Sequence, residues 1–222
     1  MKRKKRNDSP LGGFPSGASL GGKVSHYRNK QNIYTQGELA PTLFYIQEGG
    51  VRLTTRRKDH RTAVTAILGA HDFFGELCLA GYPVRVSSAV ALTGSTIRTI
   101  QKEKMLELLR AKNSTSNSLV AYLLSSVKDY QDHVADLLTT SSEQRLARAL
   151  LRLARLDRNG PALAEIPVLP HQVLADMVGT TRSRINLFMN QFRKEGFISY
   201  DGGLEVHQSL QKVLKGRVKS AK

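Results

Sequence analysis

The stretch His171-Gln172-Val173-Leu174-Ala175-Asp176-Met177-Val178-Gly179-Thr180-Thr181-Arg182-Ser183-Arg184-Ile185-Asn186-Leu187-Phe188-Met189-Asn190 decides the architecture. Val173, Leu174, Met177 and Val178 recur at helical spacing, which predicts a short helix with one apolar face. Ala175 supplies the small side chain needed where a second helix approaches closely. Gly179 stands where the chain must turn sharply, and glycine adopts a left-handed conformation without a Cβ penalty. Thr180 or Thr181 then caps a following helix through its hydroxyl. In that helix Ile185, Phe188 and Phe192 are spaced to bury one face, while Arg182, Asn186, Asn190 and Arg193 fall together on the other.

Two helices around a tight turn in this pattern read as a helix-turn-helix, whose second helix enters the major groove of double-stranded DNA by its N-terminal part. Arg182 lies in that first turn, where a guanidinium pairs bidentately with a guanine edge, and Ser183 and Asn186 suit secondary base readout. His171, Gln172 and Arg184 suit phosphate contacts, which position a protein without reading sequence. Thr181, at the helix start, completes the DNA-facing set. The competing reading is a helix surface on which Arg182 and Arg184 are merely solvated.

The flanking segments fit the same reading. Residues 196–207 hold two short strand-like runs around Asp201-Gly202-Gly203, a hairpin signal that reads as the wing of a winged helix. Upstream, Ser142 to Leu156 is strongly helical, with Leu146, Leu150 and Leu153 on its inner face.

From Asn32 to Ile100 the pattern changes to short strands separated by turns. Residues 43–46 and 51–54 flank Gly49-Gly50 in a hairpin-like arrangement, and Thr62–Leu68, Ser88–Leu92 and Thr96–Ile100 are further β-rich runs. Short strands at regular spacing predict an antiparallel barrel or roll. The loop Phe73-Phe74-Gly75-Glu76-Leu77-Cys78, with Arg85 shortly after, interrupts the pattern. Amides around a glycine plus one arginine can hold a phosphate, and a carboxylate can accept a sugar hydroxyl; a structural turn accounts for the same residues. Between the halves, Val120, Leu123, Val127, Tyr130, Val134 and Leu137 alternate spacings of three and four. This is the seam of a two-stranded coiled coil on a helix of about seven turns, or the buried stripe of a core helix.

Charge is distributed unevenly over the formal +16. Residues 1–30 carry eight Lys/Arg against one Asp, a net +7. Residues 31–140 carry twelve against ten acids, a net +2, and residues 141–222 fourteen against seven, again +7. A near-neutral middle between basic ends fits a sensing module joined to a segment that meets a polyanion. The basic run Lys2 to Arg6 is followed by no apolar stretch, so it does not read as a secretory signal, and a cytoplasmic protein with no membrane partner is expected. The lone Cys78 rules out an intramolecular disulfide or a four-thiolate metal site within one chain and reads as a small buried apolar residue. An enzyme is not expected: there is no Gly-x-Ser-x-Gly elbow, phosphate-binding loop or His-Glu-x-x-His.

These pieces in this order resemble the Crp/Fnr family of bacterial transcription regulators, over residues 24–214 and most specifically in Asp72–Leu77 with Arg85 and in Val178–Arg184. The resemblance implies an α+β chain: a flexible basic tail (1–23), an effector-sensing antiparallel β-roll (24–112), a dimerisation helix (113–140) and a winged helix-turn-helix domain (141–222). It implies a homodimer on a pseudo-palindromic operator, contact with RNA polymerase, and a nucleotide effector, cyclic AMP first. By the same resemblance Glu76 takes the ribose hydroxyl, Arg85 the cyclic phosphate, with the amides near Gly75 and Leu77 assisting. Three positions depart from the cyclic-AMP pattern: Val86 directly after Arg85, with Ser87 one place on; Tyr130 and Gln131 at the adenine-facing pair of the dimer helix; and Ser183 after Arg182. No metal, haem or iron–sulfur cluster is expected, His71 being the nearest haem-ligand candidate. An effector-independent regulator or architectural DNA-binding protein, with the roll only a dimerisation scaffold, is the alternative.

Overall fold

The computed structural model describes residues 20–58, 62–155, 164–166, 169–200 and 203–215. The tail through residue 19 and the Asp201-Gly202 pair of the expected hairpin turn lie outside them. Eight strands precede the first long helix: β1 (Lys23–Tyr27), β2 (Asn32–Tyr34), β3 (Thr42–Glu48), β4 (Val51–Arg56), β5 (Thr62–Leu68), β6 (Phe73–Phe74), β7 (Ser88–Ala91) and β8 (Ser95–Gln101). They form two antiparallel four-stranded sheets, ordered β1-β8-β3-β6 and β2-β7-β4-β5. Alternating side chains from the two sheets, among them Phe44, Ile46, Val51, Phe74, Ala89 and Ile97, meet in a shared core. The rings of Tyr34, Phe44 and Phe74 stack within it, centroids 4.9–6.0 Å apart.

The expected hairpin at Gly49-Gly50 is not one. β3 pairs with β8 and β6, while β4 pairs with β5 and β7. Ile46 and Val51 are both fully buried and enter the same core from opposite sheets, so the chain crosses the sandwich at the glycines instead of returning along its own edge. Gly50 N–H donates to Thr93 Oγ1 (3.0 Å) and Ser95 Oγ (3.2 Å), which replace the ladder bonds a hairpin would supply. The sequence reading also missed β1, the partner of β8, and read as a loop a segment that forms β6 and a 3₁₀ turn (Glu76–Ala80).

Two helices continue from β8: α1 (Lys102–Ala111) and α2 (Asn113–Thr139). The first turns of α2 are fastened to the roll through Leu119 and Tyr122, which bury with Phe73, Cys78, Ile100 and Met105. Tyr122 Oη accepts from Phe73 N–H (2.9 Å) and donates to its carbonyl (3.0 Å), tying the helix to β6. From there on α2 leaves its apolar stripe uncovered: Val120, Leu123, Val127, Tyr130, Val134 and Leu137 are all exposed.

The C-terminal part contains α3 (Ser142–Arg155), β9 (Ala164–Ile166), α4 (His171–Val178), α5 (Arg182–Lys194), β10 (Ile198–Ser199), β11 (Leu204–Val206) and the short α6 (Gln211–Leu214). A reciprocal capping pair starts α3: Gln144 N–H donates to Ser141 Oγ and Ser141 N–H to Gln144 Oε1, which satisfies two orphan donors of the first turn. Leu146, Leu150, Leu174, Ile185, Phe192 and Leu210 have no exposed surface or nearly none. Burial of each such side chain contributes about 1.5–3 kcal/mol, and this packing rather than intrinsic propensity holds an eight-residue helix such as α4. Val64 and Leu92 of the roll join the same cluster, so α4 rests against β5.

Candidate nucleic-acid interface and effector site

Gly179 has φ 64° and closes α4. Thr181, not Thr180, caps α5, its Oγ1 accepting from Arg184 N–H at 3.3 Å. α5 buries Ile185, Met189 and Phe192. Met189 takes the place the spacing gave to Phe188, which is only half-buried: residues 185, 189 and 192 lie within one narrow sector of the helix, and Phe188 sits at its margin. Thr181, Arg182, Ser183, Arg184, Asn186, Asn190 and Arg193 are all exposed, and α5 carries four cations and no acid. Gln172 is exposed at the start of α4, where its amide donates to Asp176 Oδ1 (2.8 Å), and His171 is half-buried beside it. Of the residues expected to face DNA, all but His171 are exposed. β10 and β11 pair antiparallel behind α5 as a wing, to which the sequence reading did not add β9, the third strand of that sheet.

In the roll, Arg85 is buried, with 5% exposure. Its Nη1 donates to the Thr42 carbonyl (2.7 Å) and the Gly75 carbonyl (3.3 Å), and its Nη2 to Thr42 Oγ1 (2.8 Å). The guanidinium carbon lies 4.5 Å from the centre of the Tyr34 ring and 5.0 Å from that of Phe44. No carboxylate is within ion-pair distance among the described residues, and Nε is buried without a partner. Burial lowers the Arg85 pKa. Gly75, with φ 73°, is the close neighbour of this group: a Cβ there would stand 2.6 Å from Arg85 Nη1. Thr42 and Tyr34, which seat the arginine, were invisible to sequence reading because they come from strands distant in the chain.

Glu76 lies at the start of the 3₁₀ turn, and burial pushes its carboxyl above the ordinary range, opposed by its own backbone amide and by Arg85. Glu76 and Tyr130 both line a cavity of about 1000 Å³ bounded by the roll, α2 and the C-terminal helices, with His133, Arg145, Arg148 and Met177 on its far wall. Leu77 is exposed, Ser87 is buried with Arg85, and Gln131 points to solvent; none of these three, nor Gly75 or Arg85, lines this cavity. The structure therefore gathers Gly75, Glu76, Arg85 and Ser87, places Tyr130 at the cavity wall, and leaves Gln131 outside. Cys78 is buried, with its thiol pushed up by burial. His71 lines the cavity, its Nδ1 2.8 Å from Tyr45 Oη. Among the described residues there is no cluster of potential metal ligands and no helix long and apolar enough to cross a membrane.

At its other end α2 is joined to the helix-turn-helix. Arg148 pairs with Asp136, and Arg145 donates to the carbonyls of Thr140 (2.6 Å), Val178 (2.7 Å) and Gly179 (3.5 Å).

A β-roll, a long helix and a winged helix-turn-helix in one chain define a class of DNA-binding transcription regulators. Residues 24–112 match the cyclic nucleotide-binding domain family and residues 144–209 the Crp-like helix-turn-helix domain family. The CRP-like cAMP-activated global transcriptional regulator of Mycobacterium tuberculosis is 27% identical over 172 residues, 77% of each chain. The cyclic AMP receptor protein of Thermus thermophilus is 28% identical over 185 residues, 82% of this chain and 83% of that one. The fold is that of FixK2 from Bradyrhizobium japonicum, with a TM-score of 0.74 at 20% identity over 87% of this chain and 96% of that one. It is likewise that of a CRP-family transcriptional regulator from Thermus thermophilus, at 0.71 and 24% over 89% of this chain and all of the other. The chain belongs to the Crp/Fnr family: it is a transcription regulator, not an enzyme.

Proposed function

We propose that the protein works in the cytoplasm as a homodimer on a pseudo-palindromic operator, and that a small anionic effector in the roll, cyclic AMP before other nucleotides, gates it. The observation that carries the effector reading is Arg85: a buried guanidinium with no carboxylate at ion-pair distance among the described residues and an orphaned Nε–H. A buried charge held only by neutral partners is costly, and a bound anion would offset part of that cost. The cyclic nucleotide-binding domain match and the names of two cAMP-responsive relatives support the same ligand class. Glu76 offers an acceptor for a sugar hydroxyl, Ser87 a hydroxyl beside the arginine, and Tyr130 an aromatic face at the cavity wall.

The dimer reading rests on the open stripe of α2, whose six apolar residues at heptad spacing want a second copy of the same helix. Two copies of α5 then address two half-sites. Arg182 reads a guanine, Ser183 and Asn186 read neighbouring bases, and Thr181, Arg184, His171 and Gln172 hold phosphates. RNA polymerase is the partner on the promoter. Gating runs through contacts already described. An anion on Arg85 competes with the Gly75 carbonyl; Gly75 follows β6, which Tyr122 ties to α2; and α2 holds the helix-turn-helix through Asp136–Arg148 and the Arg145 bonds.

The alternative, a roll that serves only as a dimerisation scaffold, is favoured by one observation: both terminal nitrogens of Arg85 are already satisfied by Thr42 and Gly75. Calorimetric titration of the full-length protein with cyclic AMP separates the two. Heat that disappears in Arg85→Ala, with the variant still cooperatively folded, is the expected result. No heat and no thermal stabilisation with cyclic AMP or other nucleotides would leave the scaffold.

A further inference from the structure

One side chain on the recognition helix is out of keeping with its surroundings. Leu187 is 62% exposed, in the second turn of α5, and belongs to none of the buried clusters. At about 100° per residue, the buried residues Ile185, Met189 and Phe192 define an inner direction, and Leu187 lies within roughly 20° of its opposite. Its neighbours on that outer face are Ser183, Asn186, Asn190 and Lys194, all polar and all exposed. Leu187 is thus nearer the centre of the outward face than Arg182 is, and it is the only large apolar group there among the described residues.

A lone exposed leucine needs no explanation on an ordinary surface. Here the surface is a helix with four cations and no acid, preceded by a capped turn, and its partner in the reading above is a polyanion. The floor of the major groove is polar except for one feature, the 5-methyl group of thymine. A leucine at the centre of a groove-facing helix has that methyl as its complement. The same face carries Asn186 and Asn190, whose amides match the N6/N7 edge of adenine, so the outer face as a whole is built for A·T pairs next to the guanine of Arg182.

We propose that Leu187 is a specificity-determining residue that reads a thymine methyl in each operator half-site. The proposal rests on the reading of α5 as the DNA-reading helix, and the test keeps the two apart. A duplex is first selected from a randomised pool by the full-length protein. Each thymidine of one half-site is then replaced in turn by deoxyuridine, which deletes the methyl and leaves every hydrogen-bonding group in place. Affinity is measured by fluorescence anisotropy at fixed salt.

Wild type is expected to lose about fourfold in affinity at one thymine position, the factor that corresponds to withdrawing one CH₂-sized group from an apolar contact. Leu187→Ala, a change on the exposed face whose circular dichroism should match wild type, binds the thymine and uracil duplexes equally. Ser183→Ala keeps the difference. Wild type indifferent to uracil at every position, a selected site with no thymine, or a Leu187→Ala variant that still prefers thymine would each overturn the assignment while the protein still binds DNA. Enrichment of no duplex at all, with cyclic AMP or without it, would overturn the DNA-reading role of α5 itself, and this proposal with it.

Discussion

Replacing Gly75 by Ala tests how Arg85 is held. The backbone there has φ 73°, where an L side chain costs about 1–2 kcal/mol. The added Cβ would lie 2.6 Å from Arg85 Nη1 and 3.3 Å from Phe44 Cδ2. Phe44 is locked in the stacked aromatic core, so the arginine is the group that moves. Moving it weakens its bonds to the Thr42 and Gly75 carbonyls, the second of which is long at 3.3 Å. Hydrogen bonds to a charged group are worth about 1.5–3 kcal/mol, and loss of part of that brings the total to about 2–4 kcal/mol. Gly81 is the control. Its φ is 91° and a Cβ there meets nothing within 4 Å, so Gly81→Ala should cost only the backbone strain, about 1–2 kcal/mol. Urea unfolding of the full-length protein, read as a midpoint shift at constant slope, gives both numbers. Equal costs for the two variants, within about 0.5 kcal/mol, would show that Arg85 is not seated against Gly75, and the proposed effector site would fall with it.

Three further outcomes are expected from the same contacts. Burial holds the Glu76 carboxyl above its ordinary pKa, so the folded state retains the proton more than the unfolded state does; stability from this group is present at acid pH and declines as pH rises from the unfolded pKa through the folded one. Glu76→Gln should therefore gain on wild type as pH is raised across that window in paired urea titrations, and parallel curves would remove the effect. Val127→Asp places an unpaired charge in the middle of the α2 stripe, where burial in a seam costs several kcal/mol, and light scattering should report a monomer; a dimeric variant would put the interface elsewhere. Arg182→Ala should weaken binding to the selected duplex by about 1–3 kcal/mol and relax one base position, whereas unchanged affinity and specificity in a repeated selection would take Arg182 out of base reading.

Much of the architecture was local enough to be legible in the residues. The helix-turn-helix is written within twenty consecutive positions, where a 3.6-residue period, one turn glycine and one cap residue act on neighbours in the chain. The heptad stripe of α2 and the period-two runs of the roll are local in the same sense, as is the wing hairpin. Where local pattern was ambiguous, the reading went astray: Gly49-Gly50 looks like a hairpin turn, and only the burial of Ile46 and Val51 from opposite sheets makes it a crossing.

Sequence by itself therefore determined the order of the modules and the two helices, turn and cap of the helix-turn-helix, because hydrophobic period and turn chemistry act over a few residues. Tertiary structure alone decided how Arg85 is held, since Thr42, Tyr34, Phe44 and Gly75 converge on it from positions up to 51 residues apart in the chain. It also decided that Gln131 stays outside while Tyr130 reaches the cavity wall, and that Leu187 stands at the centre of the outward face of α5. Exposure and the company of a side chain are properties of packing, and packing between distant segments leaves no period in the sequence to read.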